Sequence, residues 1–240
     1  MKNRLDRLIV ERGLAESREK AQALIMAGEV RVNGQKAAKP GQQVEAGCKI
    51  EMLSRPPYVS RGGYKLAGAL RHFALDVAGL VCADIGSSTG GFTDVLLQAG
   101  AARVHTVDVG AGQLDWKLRT DARVVLHEGI NAREVTPLQI GEPVDFLTCD
   151  VSFISVTLIL PAVVSLLQPG GQMVILIKPQ FEVGRGQVGK GGIVRDPELH
   201  RAACEKVERA VREIGFDTAI VESPIAGAEG NKEFLLYAHH

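Results

Sequence analysis

The sequence predicts a doubly wound α/β sheet behind a small α+β module, on three observations. From residue 62 onward, short apolar strand patterns alternate with helical periods, which is how a mostly parallel sheet reads. Residues 1–54 hold two short amphipathic helices and a β-ribbon pattern of their own. Between them, Arg55-Pro56-Pro57-Tyr58-Val59 reads as a stiff connector, because paired prolines favour extended backbone. The expected division is a module of residues 1–54, a linker of residues 55–60 and a sheet domain of residues 61–240.

Composition narrows the class. Apolar residues make up 45% and charged residues 23%, an ordinary globular balance that excludes disorder and collagen-like repeats. The longest apolar run, residues 156–167, is broken by Pro161 and falls short of the roughly 20 residues a membrane-spanning helix needs. The N-terminal stretch is charged in every turn, so no secretion signal is expected and a cytoplasmic location is. Cys48, Cys82, Cys149 and Cys204 lie far apart without metal-ligand spacing and are expected to be reduced, buried fillers. Lys and Arg number 28 and so do Asp and Glu, a neutrality that alone argues against a nucleic-acid partner. Position changes that reading: residues 1–60 carry 11 basic against 7 acidic residues, and residues 61–240 carry 17 against 21. A basic head precedes an acidic body.

In the module, Leu5, Leu8 and Ile9 mark one amphipathic helix stopped by Gly13. Ser17 caps a second, in which Ala21, Leu24, Ile25 and Met26 share a face before Gly28. Val30 to Val32, the Asn33-Gly34 hairpin signal, and stretches near Val44 and Ile50 follow as short strands. Arg4, Arg7, Arg18 and Lys20 fall largely off the apolar face, where they could meet phosphate or simply be solvated. With Ser17-Arg18, Ala21, Ile25, Gly28, Val32-Asn33-Gly34 and the Pro40-Gly41 turn, residues 4–53 closely resemble the αL-type RNA-binding domain of ribosomal small-subunit protein four. The resemblance favours the phosphate reading for those four basic residues.

In the sheet domain, apolar spacing predicts a helix at residues 64–73. The apolar run 80–85 reads as a buried strand, and a helix at 91–98 opens after paired glycines. Strands are expected at 103–109, 124–127 and 144–150, a helix at 155–167, and a strand at 172–178. A helix at 197–214 precedes two strand-like stretches, 218–222 and 233–239. Ligands of such sheets bind beyond the carboxyl ends of the strands, so site residues should follow positions 85, 107, 127, 148 and 177.

The first strand runs into Asp84-Ile85-Gly86-Ser87-Ser88-Thr89-Gly90-Gly91-Phe92, a turn that lets backbone approach a ligand at a helix N-terminus. A dinucleotide site needs GxGxxG, which this spacing does not give. A hydrolase elbow needs GxSxG, which Gly86-Ser87-Ser88-Thr89-Gly90 satisfies literally, although no oxyanion segment or Ser-Asp-His order accompanies it. An S-adenosylmethionine site uses a D-x-G-x-x-x-G-G-like turn with an acid after the next strand, and Asp84, Gly86, Gly90 and Asp108 have that arrangement. Asn131, after the third strand, is the candidate for adenine. The loop Gly184-Arg185-Gly186-Gln187-Val188-Gly189-Lys190-Gly191 approaches a phosphate-binding P-loop but lacks the Ser or Thr that would hold magnesium. It reads better as a loop offering Arg185 and Lys190 to RNA, or as a solvated one.

Four charges remain that no core requires: Lys65, Asp150, Lys178 and Glu233. Asp150 and Lys178 end adjacent strands, where a pair is expected because an unpaired buried charge is costly. Each could be a structural ion pair. Together they match the Lys-Asp-Lys-Glu set of FtsJ-like ribose methyltransferases. With SRGGYKL, DIGSSTGGFTDVLLQ, CDVSFIS, IKPQFE and GNKEF, the chain from residue 4 to residue 237 resembles the TlyA family, also known as haemolysin A, which methylates ribose 2′-hydroxyls of ribosomal RNA. The resemblance implies a Rossmann-like methyltransferase sheet, S-adenosyl-L-methionine as cofactor, and ribosomal RNA or ribosomal subunits as partner, with cytidine as the modified nucleotide. Lys178 would contact and help deprotonate the hydroxyl, Asp150 would fix Lys178 close to the methyl, and Glu233 would position Lys65. Asp84, Gly86, Ser87, Ser88, Thr89, Gly90, Gly91, Phe92, Asp108, Asn131 and Asp150 would hold the cofactor. No metal, no membrane partner and a monomer are expected. A serine hydrolase and a non-catalytic RNA-binding assembly factor remain the alternatives.

Overall fold

A computed structural model of the chain describes residues 2–53, 56–227 and 230–240, and the side chain of Arg185 lies outside what it describes. The chain divides into two compact units, Met1–Pro57 and Tyr58–His240.

In the first unit, β1 (Lys2–Arg4) leads into α1 (Leu5–Glu11), and α2 (Arg18–Met26) follows. Four short strands complete it: β2 (Val30–Val32), β3 (Gln35–Lys36), β4 (Gln43–Glu45) and β5 (Ile50–Met52). The Ser17 hydroxyl caps α2 by accepting from the Lys20 N–H at 3.2 Å. Leu5, Leu8 and Ile9 of α1 meet Ala21 and Ile25 of α2 and Val30 of β2 in one core. Each such fully buried aliphatic side chain contributes about 1.5–3 kcal/mol, which such short helices need because they are unstable alone. β2 pairs with β3 and β5, while β1, a strand not expected from the sequence, pairs antiparallel with β4.

In the second unit, α3 (Gly62–His72) precedes β6 (Val81–Ile85), α4 (Gly91–Gln98), β7 (Arg103–Asp108), α5 (Trp116–Arg119) and β8 (Val124–Glu128). Next come α6 (Pro137–Ile140), β9 (Val144–Cys149), α7 (Leu160–Val164), β10 (Leu167–Ile177) and α8 (Pro179–Glu182). The unit ends with α9 (Pro197–Glu213), β11 (Asp217–Glu222) and β12 (Phe234–His239). Seven strands form one sheet in the order β11-β12-β10-β9-β6-β7-β8, with β12 antiparallel to both its neighbours and the strands from β10 to β8 parallel. This is the doubly wound α/β sheet expected. Strand alternation sends Ile85, Val107, Leu147 and Ile175 to the face covered by Val207 and Val211 of α9. Cys82, Val104, Phe146 and Val174 go to the face covered by α3 and α4. The order reverses between β6 and β9, so the crevice beyond their carboxyl ends is the place for a ligand.

Residues 155–167 do not form the single helix expected. A 3₁₀ turn (Val156–Leu158) is followed by the five-residue α7, and Leu167 already starts β10. Pro161 lacks an N–H and is tolerated only in a first helical turn, so it starts a new short helix rather than continuing one. Tyr58 and Val59, assigned above to the linker, belong to the second unit: the Tyr58 ring meets Tyr64 edge-on at 5.4 Å, and the Val59 N–H donates to Asp94. All four cysteines are free, and Cys204 is half-buried rather than buried. Burial pushes the Cys82 thiol up to about 12 and the Cys149 thiol higher still, which leaves both protonated and unreactive.

Candidate active site

Beyond Ile85 the chain turns through Gly86, Ser88 and Gly90, all at positive φ, into α4. A Cβ on Gly86 would lie 2.4 Å from the Asp150 carbonyl oxygen, so only glycine lets the turn pass this close to the end of β9. Asp108, at the end of β7, fixes the turn from one side: Oδ2 accepts from the Ser88 N–H at 2.8 Å and Oδ1 from the Gly110 N–H at 2.7 Å. Asp84 fixes it from beneath. Its fully buried carboxylate accepts from the Thr93 N–H (3.0 Å), the Thr93 hydroxyl (2.6 Å) and the Thr148 hydroxyl (3.0 Å). Burial pushes Asp84 up to about 6, opposed by those hydrogen bonds and reinforced by the Asp150 charge. Asp84 was expected among the cofactor contacts. Its carboxylate is bonded to donors on α4 and β9, as a buried carboxylate requires, and the residue also lines the cavity beside the Gly86–Thr89 turn.

The four isolated charges come together as two pairs. Lys178 follows β10 and Asp150 follows the adjacent β9, and Lys178 Nζ lies 2.6 Å from Asp150 Oδ1. Lys178 Nζ also donates to Ser152 Oγ at 2.8 Å. Lys65, on α3, lies 2.5 Å from Glu233 Oε2 at the start of β12. Both lysines are about nine-tenths buried, with side-chain exposures of 10% and 11%. Gly227 leaves room for Glu233, since a Cβ there would sit 2.0 Å from Oε1. Three joined cavities surround the pairs. One of about 250 Å³ lies between the Gly86–Thr89 turn, Lys65, Asp150 and Lys178. A more apolar slot of about 470 Å³ continues from Gly86 and Asp150 to Asp108, Asn131, Ile130 and Phe153. A third, of about 360 Å³, opens on the other side of Lys65 and Lys178, beside Glu233, Phe181 and Val188.

Of the remaining expected site residues, Ser87, Gly91 and Phe92 are buried in the turn and the first turn of α4, while Thr89 is exposed. Asn131 is exposed at the slot and accepts from the Arg133 N–H at 3.0 Å. The residues sequence reasoning missed are polar links between loops. Ser152 is one. Glu182 is another: its carboxylate accepts from Ser155 Oγ (2.5 Å), the Val156 N–H (2.7 Å) and Lys206 Nζ (2.9 Å). Asn231, 3% exposed, joins Gly192 and Val194 to the Glu233 segment. Ser152, Glu182 and Asn231 lie in CDVSF, IKPQFE and GNKEF, which was the available signal.

The rival motifs find no support in the geometry. His105 is committed to His127 and Glu142, and His200 to the Val194 carbonyl, so the GSSTG serines gain no histidine from these. The glycine loop forms two 3₁₀ turns (Arg185–Gln187 and Lys190–Gly192) rather than a helix that could aim its N-terminus at phosphate. Among the described residues no cluster could hold a metal ion, and no helix is long and apolar enough to cross a membrane.

In the first unit, Arg4 and Arg18 are not simply solvated. Both reach Asp6, a carboxylate with no exposure, Arg4 through Nε and Nη2 (3.1 and 2.9 Å) and Arg18 through Nε (3.0 Å). Gln22 Nε2 and the Arg7 N–H complete the set. The Arg4 bond above all holds the Asp6 carboxyl well below the usual carboxylate range, against the opposing effect of burial. The Arg4 and Arg18 side chains stay 39% and 42% exposed. Arg7 is exposed on α1, Lys20 pairs with Glu16, and Lys190 is exposed.

Residues 58–240 match the FtsJ-like methyltransferase family, and residues 3–50 match the S4 domain. The chain is 48% identical to a 16S/23S rRNA (cytidine-2′-O)-methyltransferase, TlyA, of Mycobacterium tuberculosis, over 98% of this chain and 88% of that one. It is 42% identical to Hemolysin A of Brachyspira hyodysenteriae, over 98% of each chain. A solved structure described as a hemolysin from Streptococcus thermophilus shares 46% identity, covers 99% of this chain and 88% of that one, and superposes with a TM-score of 0.76. The chain therefore belongs to the FtsJ-like methyltransferases, in the TlyA group, with an S4 domain ahead of the methyltransferase domain.

Proposed function

We propose that this enzyme transfers the methyl group of S-adenosylmethionine to a ribose 2′-hydroxyl, that of a cytidine, in ribosomal RNA. The observation that carries the reading is the pair of buried lysine–carboxylate contacts set where three cavities join. The cofactor fits the residues present. The apolar slot between Ile130 and Ile154 suits adenine, with Asn131 at its edge. Asp108 retains acceptor capacity for ribose hydroxyls, and the Gly86–Thr89 turn can meet the methionine end. Asp150 presents negative charge where the two cavities join, a suitable neighbour for a sulfonium cation. S-adenosylmethionine, when bound, supplies a methyl group already activated on that sulfonium.

A ribose hydroxyl is a poor nucleophile, so the chain must orient its oxygen and assist proton loss. Lys178 Nζ, held by Asp150 and Ser152, is placed to contact the hydroxyl and stabilise its developing charge. Lys65, held by Glu233, brings a second ammonium to the same cavity and positions the ribose. The third cavity would take the target nucleotide, and the buried Oε1 of Gln180 in its wall, without a hydrogen-bond partner among the described residues, suits a polar occupant. The S4 unit would hold RNA through Arg4, Arg7, Arg18 and Lys20, with Lys190 and Arg185 of the glycine loop assisting. The division of labour is residues 1–54 for RNA and residues 61–240 for chemistry, in a monomer acting in the cytoplasm on ribosomal subunits. Lys178→Ala and Asp150→Ala should each lower tritium transfer from labelled S-adenosylmethionine to ribosomal subunits by about a thousandfold while keeping the fold. Full transfer by either variant would refute the assignment.

A further inference from the structure

We propose that Glu182 is a positioning residue for methyl transfer, locking together the two loops that carry Asp150 and Lys178; the inference rests on the reading of that pair as catalytic. Lys178 is the residue immediately before α8, and Glu182 is the last residue of that helix, one turn later. From there the Glu182 carboxylate reaches the far end of the loop after β9, accepting from Ser155 Oγ at 2.5 Å and the Val156 N–H at 2.7 Å. The near end of the same loop holds Asp150 and Ser152, which grip Lys178 at 2.6 and 2.8 Å. The two segments are thus joined twice, once at each end, and neither can slide along the other without breaking a buried contact. Lys206 of α9 completes the bolt, donating to the Glu182 carboxylate at 2.9 Å and to its carbonyl at 2.8 Å.

The chemistry of the bolt argues for geometry rather than simple stability. The Glu182 side chain is 2% exposed, and a carboxylate that deep costs more to desolvate than its pairing returns unless every lone pair is used. An apolar residue would pack there as well, but it could not fix Ser155 and Val156 at hydrogen-bond distance. In-line transfer to an oxygen tolerates little error, since a displacement of about 1 Å at a reacting group costs on the order of a hundredfold in rate. Glu182 touches neither the Asp150 nor the Lys178 side chain in these contacts, so it acts through the loops and not on the substrate.

The test compares Glu182→Ala, Glu182→Gln, Lys206→Met and Lys178→Met in the full chain. It measures kcat and KM for methyl transfer to ribosomal subunits and, by calorimetry, the stoichiometry of S-adenosylhomocysteine binding. Glu182→Ala should lose about a hundredfold in kcat with KM for subunits within about twofold and binding stoichiometry near one. Glu182→Gln, which keeps an acceptor for the Val156 N–H, should recover about tenfold of that loss. Wild-type kcat in Glu182→Ala, or a kcat that falls only in proportion to lost binding stoichiometry, overturns the proposal. If Glu182→Ala does not fold, Lys206→Met decides: kcat must fall at least about fivefold at unchanged stoichiometry, and an unchanged kcat overturns it. Substantial activity in Lys178→Met would instead overturn the catalytic reading on which the inference rests.

Discussion

Asp6 and Asp84 are both carboxylates without solvent exposure, one in each unit, and they are driven in opposite directions. Asp6 receives Arg4, Arg18, Gln22 and a backbone N–H, and its carboxyl is held far below the ordinary range. Asp84 receives two hydroxyls and one backbone N–H, and burial lifts it to about 6. Zero exposure alone does not decide the direction of the shift; the depth at which the group lies and the charge of its donors do. The functional consequence differs accordingly. The S4 unit holds two partly exposed arginine side chains on one buried anion, a pair suited to the RNA contact proposed above. The methyltransferase unit keeps Lys65 and Lys178 nearly buried, one carboxylate to each, and Asp84 braces the turn beside them.

The largest expected effect belongs to Asp6→Asn. Counting charge alone, removing an anion from the basic unit should tighten RNA binding. Asp6 as the scaffold of the arginine pair predicts the reverse: about tenfold weaker binding to ribosomal RNA in a filter assay, with a shallower salt dependence. Tighter binding would show that the arginines need no scaffold.

A second effect separates the two carboxylates by pH. A depressed pKa stabilises above the unfolded value of about 4 and loses that contribution as pH falls through the folded value. A raised pKa stabilises fully below about 4 and loses its contribution as pH rises through about 6. Protection factors of α1 amides, taken relative to the intrinsic exchange rate, should therefore fall on acidification below pH 4 in the wild type more than in Asp6→Asn. For β6 amides, the advantage of wild type over Asp84→Asn should shrink between about pH 4 and pH 7. The same trend in both units would contradict the assignment. The smallest effect belongs to Lys20→Ala, which breaks an exposed pair with Glu16 worth under about 1 kcal/mol and should leave the melting temperature within a degree or two.

The sheet was legible because alternation and helical period are local signals, and the parallel strands lie within a few residues of where the pattern puts them. Lys65, Asp150, Lys178 and Glu233 were legible as charges that no core explains; the Asp150–Lys178 pair follows from which strand ends adjoin, and the Lys65–Glu233 pair from α3 packing against β12. What stayed hidden was pairing across long sequence gaps. Glu182 looks like a surface acid until α9 brings Lys206 to it, and Arg4 and Arg18 look solvated until α1 and α2 pack and leave Asp6 between them. The 155–167 segment was misread because an apolar run has no period that distinguishes a broken helix from a continuous one, and Pro161 decides it.

The proposed acceptor of the methyl group is the 2′-oxygen of a cytidine ribose. Ribosomal subunits from cells lacking this enzyme, treated with purified protein and S-adenosylmethionine and then digested to nucleosides, should yield new 2′-O-methylcytidine by mass spectrometry, and none with Lys178→Ala. A methyl group found on a base, or 2′-O-methylcytidine formed equally by the variant, would contradict the account.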